Sequence, residues 1–211
     1  MPVRKIKNNY LSVTGNFYSI KNSRHIASES KLERDFFLHL EFDKNVLSYE
    51  EQPLTTYYSK NNRRYKYTPD CLVFYKNRRP CIYEIKYSSE IKEKKVFLKE
   101  KFNQIEDYLE KNDMDFSFFT ELDINIIQLE NIRYLYSFSS YKNEHMINSA
   151  IELIQNHENV SLNKILNNYS IDRFKQNEIL PYIWKILLMN KIEINLNEKI
   201  NKETFIKVIH E

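Results

Sequence analysis

Short apolar runs and helical periodicities alternate along the chain, and the pattern of hydrophobic positions predicts strands and helices in turn. Leu32, Phe36 and Leu40 recur at helical spacing. Cys71 to Tyr75 (Cys-Leu-Val-Phe-Tyr) is rich in β-branched and aromatic residues and reads as a strand, and Cys81 to Lys86 reads as a second. Between them, Lys76-Asn77-Arg78-Arg79-Pro80 has the length and polarity of a hairpin loop. Glu90 to Asn112 carries Leu98, Phe102, Ile105 and Leu109 as an apolar stripe and predicts a long helix. Phe116 to Phe119 then predicts a buried strand and Asn125 to Tyr136 another helix. The alternation predicts a mixed α/β core.

From Ser137 to Glu144 the composition turns polar, which places a domain boundary near 140: one domain over 1–140 and a smaller one over 141–211. The second reads as a helix (His145 to Asn156), a short helix (Ser161 to Asn168) and a longer one (Arg173 to Asn190). Leu180, Trp184, Leu187 and Leu188 form the apolar face of the longest, and Pro181 is expected to kink it or to mark its start. Ile192 to Ile200 alternates as a hairpin would. Three helices and a hairpin predict a winged-helix-like module. Its recognition helix would set Arg173, Lys175 and Lys185 against Glu178 and a long apolar run, so protein docking or core packing stands beside base readout as its role.

Charge adds little. Thirty-two Lys and Arg against twenty-nine Asp and Glu leave +3, so any DNA contact must come from local clustering. Cys71 and Cys81 fall in predicted strands, where cysteine acts as a small core residue, and without paired histidines they make no zinc site. No apolar run reaches membrane-spanning length, and Met1-Pro-Val-Arg-Lys lacks a signal-peptide core, so a cytoplasmic protein with reduced thiols is expected. With a single Gly, the chain must use Asn at many turns, which Asn allows through its tolerance of left-handed geometry.

The chemistry concentrates on the predicted hairpin. Antiparallel pairing centred near Arg78 brings Asp70 opposite the Glu84 to Lys86 end of the second strand. Glu84 and Lys86 share a face, and Asp70 joins them if the loop keeps an even register. Carboxylates on paired positions, with Cβ atoms roughly 5 Å apart, suit a divalent metal and in its absence raise one another's pKa. The plainer reading is an amphipathic ribbon with a solvated acid and lysine. Against it, Glu84 and Lys86 interrupt an apolar strand, and Thr68-Pro69-Asp70 pins the chain ahead of the first. Glu33 lies on the same helix side as Phe36, Phe37 and Leu40, an acid aimed at a packed face. Ser30-x-x-Glu33 also makes a capping box; beside the hairpin, Glu33 reads as a third carboxylate. Lys92, Lys94 and Lys95, interspersed with Glu90 and Glu93, are candidate DNA contacts, a solvated helix face being the plainer reading.

Ser30-Lys-Leu-Glu33-Arg-Asp-Phe-Phe, Tyr49-Glu-Glu-Gln52-Pro53, Tyr67-Thr-Pro-Asp70 and Glu84-Ile-Lys86 resemble, in order and spacing, the motifs of the TnsA endonuclease family. Thr14-Gly15 and Ser19-Ile-Lys21-Asn-Ser-Arg24 resemble its lead-in, and Phe119-Thr120-Glu121 with Glu130 to Leu135 its closing strand and helix. The resemblance implies a restriction-endonuclease-like core of the PD-(D/E)xK type, a mixed sheet flanked by helices. It implies Glu33, Asp70, Glu84 and the Ile85 carbonyl as ligands of Mg²⁺, with Mn²⁺ able to substitute, and Lys86 as the catalytic lysine. The implied activity is hydrolysis at the 5′ ends of a transposon during cut-and-paste transposition. The implied partners are double-stranded transposon-end DNA, a DDE transposase subunit and an AAA+ regulator, in a bacterial cytoplasm at the nucleoid. A non-catalytic assembly module and a stand-alone restriction or resolvase nuclease are the alternatives.

Overall fold

In the computed structural model, which describes residues 15–209 apart from 54, 61–62, 95–97 and 99–104, the chain opens as an antiparallel ribbon, β1 (Gly15–Ser19) with β2 (Arg24–Ser28). Ser30 then caps helix α1 (Lys31–Phe42), its hydroxyl accepting from the Glu33 amide at 3.1 Å. Leu32, Phe36, Phe37 and Leu40 are buried, as their spacing predicts. The lead-in is tied to this helix through Glu41. Its carboxylate accepts from the Ser19 hydroxyl, the Ile20 and Lys21 amides and the Tyr49 hydroxyl.

Strand β3 (Val46–Glu51) is followed by a separate two-stranded ribbon, β4 (Thr56–Lys60) with β5 (Arg63–Tyr67), and then by β6 (Cys71–Tyr75) and β7 (Cys81–Ile85). After helices α2 (Ser88–Glu93) and α3 (Glu106–Lys111) comes β8 (Asp115–Phe119). The main sheet has the order β3-β6-β7-β8, antiparallel except for the parallel β7–β8 pair. The mixed α/β expectation holds, and the arrangement is compatible with a restriction-endonuclease-like fold. Cys71, Val73, Tyr75, Cys81 and Ile85 form one core with Phe36, Phe37 and Leu40 of α1. The Phe36 ring lies 4.9 Å from Tyr83 and 4.7 Å from Phe119, centroid to centroid. Both cysteines are free and buried in this core.

Of the long helix expected over 90–112, the described parts are α2, α3 and the buried Leu98 and Ile105. Phe102, Lys95, Lys99 and Lys101 lie outside the described residues, as does Thr14.

Contacts divide the chain into two units, 1–124 and 125–211, ahead of the boundary expected near 140. Helix α4 (Ile126–Tyr136), capped by Asn125, falls in the second unit, where the Trp184 indole donates to the Tyr134 hydroxyl at 3.2 Å. Then follow α5 (Glu144–Ile154), β9 (Asn159–Ser161), α6 (Leu162–Tyr169), α7 (Arg173–Leu188), β10 (Ile192–Glu193) and β11 (Phe205–Val208). Pro181 sits inside α7, which starts at Arg173 after the Asp172 cap, so the proline does not mark its beginning.

The hairpin expected over 192–200 is not formed within that stretch. Ile192–Glu193 pairs instead with 207–208, and β11 pairs onward with β9. Asn131 explains the difference. Its amide donates to the Leu196 and Glu198 carbonyls at 2.9 and 2.7 Å and accepts from the Ile200 amide at 3.3 Å, taking backbone groups that a strand ladder would have used.

Among the described residues no helix is long and apolar enough to cross a membrane.

Candidate active site

The register of β6 and β7 decides whether the two hairpin acids meet. Cys71 pairs with Tyr83 and Val73 with Cys81, so the next position outward sets Asp70 against Glu84. Directly opposed residues of an antiparallel pair project to one face. The cysteines and Tyr83 take the face packed on α1 and leave the other for Asp70, Glu84 and Lys86. The even register on which the site depended is present.

Three oxygens converge on the Lys86 ammonium: Asp70 Oδ2 at 2.7 Å, the Ile85 carbonyl at 3.2 Å and Glu84 Oε2 at 3.4 Å. Asp70 Oδ2 also accepts from the Ile85 amide at 2.8 Å. Lys86 is fixed through its backbone, its amide donating to the Phe119 carbonyl at 3.1 Å beyond the end of the β7–β8 pairing. Beyond it, Glu121 accepts from the Ser88 amide and hydroxyl and so holds the start of α2.

Burial dominates the electrostatics. It raises Asp70 above the ordinary carboxylate range, Glu84 adds to the rise, and Lys86 opposes it. Burial on its own would lower the Lys86 ammonium, but the charges of Asp70 and Glu84 outweigh it and raise it. Lys86 therefore stays cationic and the cluster holds two acids against one base.

Glu33 is placed beside this cluster and not in its direct contacts. Its carboxylate accepts from the Glu29 amide at 2.7 Å and the Ser30 hydroxyl at 3.1 Å, so the expected capping box is only half formed: Ser30 caps the Glu33 amide, but the carboxylate reaches the amide one residue ahead of the cap. Burial raises it to about 6; the two hydrogen bonds oppose the rise and the charge of Asp70 adds to it. Glu33 thus serves its helix end while sensing Asp70. Among the described residues, no three His, Cys, Asp or Glu side chains are grouped closely enough to hold an ion by themselves. What the site offers a cation is two carboxylates and a main-chain carbonyl around one point, hard oxygen donors of the kind Mg²⁺ accepts.

Two residues without an assigned role support the acids. The buried Tyr67 phenol is raised by burial and then by the charge of Glu84, so it faces that carboxylate as a neutral hydroxyl. Gln52 donates its backbone N–H to the Asp70 carbonyl at 3.0 Å, from a left-handed backbone with φ 45°. Both stand in quoted motifs, Tyr67 directly before Thr-Pro-Asp and Gln52 in Glu-Gln-Pro, but nothing in the residue types marks them as neighbours of the acids.

Of the candidate DNA contacts, Lys92 is exposed and near enough to Glu121 to help lower that carboxyl, after the Ser88 hydrogen bonds. Lys94 pairs with Glu90 at 3.6 Å, and Lys95 lies outside the described residues.

The family model described as TnsA-like endonuclease N terminal matches residues 43–121, consistent with a TnsA-family endonuclease. The matched stretch holds Asp70, Glu84, Ile85 and Lys86, and Glu33 precedes it. No curated protein matches the chain.

Proposed function

From a chain that carries a TnsA-like endonuclease region, we propose a metal-dependent DNA endonuclease subunit of a heteromeric transposase, hydrolysing phosphodiesters at the 5′ ends of a transposon. The convergence of Asp70, Glu84 and the Ile85 carbonyl on Lys86 carries this reading.

Asp70, Glu84 and the Ile85 carbonyl would hold Mg²⁺ or Mn²⁺, with Glu33 completing the acidic set. The ion when bound supplies charge to the scissile phosphate and acidity to a coordinated water. Lys86, kept cationic by the two carboxylates, would turn its ammonium to the phosphate oxygens and offset the charge that builds there. Asp70 is held for this work through the Ile85 amide.

A DDE transposase subunit and an AAA+ regulator are the proposed partners, and the bacterial cytoplasm, at the nucleoid, the proposed location. The second unit supports a winged-helix-like module through its order of helix, strand, helix, helix, strand, strand from α5 to β11.

Nicking of supercoiled plasmid with and without Mg²⁺ tests the activity. Asp70→Ala and Lys86→Ala should abolish it while circular dichroism stays native. Wild-type rates from Asp70→Ala would sink the proposal.

A second reading has an observation of its own. Lys86 pairs with both carboxylates from within, as in a structural ion-pair network, which suits an assembly module that no longer cuts. Calorimetric titration with Mg²⁺ separates the two: binding lost in Glu84→Ala favours the enzyme, and no binding by the wild type favours the module.

A further inference from the structure

The β4–β5 ribbon runs from Thr56↔Tyr67 to Lys60↔Arg63 and, among the described residues, pairs with no strand of the main sheet. In its second strand Arg63, Arg64, Tyr65 and Lys66 are exposed, and only Tyr67 is buried. Between Thr55 and Pro69 there is no Asp or Glu, while Lys60, Arg63, Arg64 and Lys66 bring four positive charges, more than the +3 of the whole chain. The ribbon is therefore a locally cationic element within a chain of nearly balanced charge.

A two-stranded ribbon alone is marginally stable in water, so something must root this one. Its base is held by Tyr67, buried beside Glu84, and by the Thr55 and Thr68 hydroxyls 3.1 Å apart. Only Thr68 and Pro69 separate that base from Asp70.

By the strand alternation, Tyr57, Arg64 and Lys66 share one face, and Arg63 and Tyr65 take the other. The Arg64 guanidinium lies over the Tyr57 ring at 4.0 Å, which holds it extended across the ribbon. Among the described residues no carboxylate pairs with Arg63, Arg64 or Lys66. Unneutralised cations on both faces fit an element with phosphates on both sides. The major groove of duplex DNA, about 12 Å wide, admits a two-stranded ribbon between its phosphate walls.

We propose that the β4–β5 ribbon is a DNA-gripping arm that enters the major groove, sets Arg63, Arg64 and Lys66 against phosphates, and delivers the backbone to Asp70. It rests on the endonuclease reading of that site and adds the grip the site lacks. Contacts to phosphate carry no sequence information, so the grip is sequence-tolerant and salt-sensitive.

The test is equilibrium binding of the full chain to a short fluorescent duplex of arbitrary sequence, without divalent metal, over a range of salt. Each phosphate contact contributes about 0.9 to the slope of log K against log salt. Arg63→Ala/Arg64→Ala/Lys66→Ala should lower that slope by about 2 to 3 and weaken low-salt binding at least about tenfold. Arg63→Lys/Arg64→Lys should keep the slope. Lys76→Ala/Arg79→Ala, at the far end of β6 from Asp70, should bind as the wild type does. Wild-type binding by the triple variant at an unchanged melting temperature would overturn the proposal and leave the charges as protection of open strand edges. A preference for single strands over duplex would overturn the groove placement. The two readings fail separately: ribbon-dependent binding by a wild type that never cuts defeats the endonuclease alone, and cutting unaffected by the triple variant defeats the arm alone.

Discussion

Lys86 and Asp70 meet at 2.7 Å, and the Asp70 oxygen that receives the ammonium also receives the Ile85 amide at 2.8 Å. The lysine and the acid are thus set by adjacent residues of one strand, so the loss of either is felt at once by the other.

Lys86→Met leaves Asp70 and Glu84 facing each other without an internal cation. Breaking a buried pair by removing one partner costs about 3 kcal/mol. The expected outcome is a loss of that order in metal-free urea denaturation at neutral pH. It shrinks as pH falls, because protonating Asp70, already raised by burial, removes the repulsion. Addition of Mg²⁺ should restore part of the loss; an unmoved midpoint in EDTA at pH 7 would refute the expectation.

Glu33 makes stability depend on mild acidity. Its carboxyl rises from 4.5 to about 6 on folding, so the folded state holds the proton more tightly than the unfolded one. The stabilisation is fully present below 4.5 and is lost as pH rises through about 6. The separation corresponds to about 2 kcal/mol. Glu33→Gln keeps an acceptor for the Glu29 amide but does not titrate. Relative to it, the wild type should lose about 2 kcal/mol between those limits, read from denaturation curves across the range. Parallel curves would contradict the assignment.

Gln52 occupies a left-handed backbone, and its buried side-chain oxygen has no hydrogen-bond donor among the described residues. Glycine adopts this backbone freely and a β-branched residue resists it. Gln52→Gly should raise stability by about 1 kcal/mol and Gln52→Val lower it by about 2 kcal/mol. Thermal melts check the order, and a Gly variant less stable than the Val variant would show that the backbone strain is not what matters.

In the second unit, Asn131→Ala strands two carbonyls and one amide of the 196–200 segment. Unmet groups of this kind cost about 1 to 3 kcal/mol each when buried. Destabilisation of about 3 kcal/mol is expected, with faster hydrogen exchange at the Ile200 amide while amides inside α5 keep their rank order. Unchanged exchange at Ile200 would count against the role given to Asn131.

Much of the first unit was legible because its signals are local. Ser30 with Glu33 predicts the cap of α1, the β-branched and aromatic run predicts β6, and Lys76 to Pro80 predicts the reversal into β7. The β4–β5 ribbon leaves no such signal, since one buried residue in five gives β5 hardly any apolar alternation. In the second unit, alternation over 192–200 suggested a hairpin, and a single asparagine on a distant helix took the backbone groups instead.

By itself, the sequence determined the residue types of the site, the elements that bear them, and the order of motifs that resembles a TnsA endonuclease. Spacing along a strand or helix is a property of the covalent chain, so these need no tertiary contact. Tertiary structure alone decided the register that sets Asp70 against Glu84, the oxygens gathered on Lys86, the placing of Glu33 at its own helix end, and the burial of Tyr67 beside Glu84. Each of these depends on which strand lies beside which and on how deeply a group is removed from water, and those distances exist only once the sheet has closed against α1.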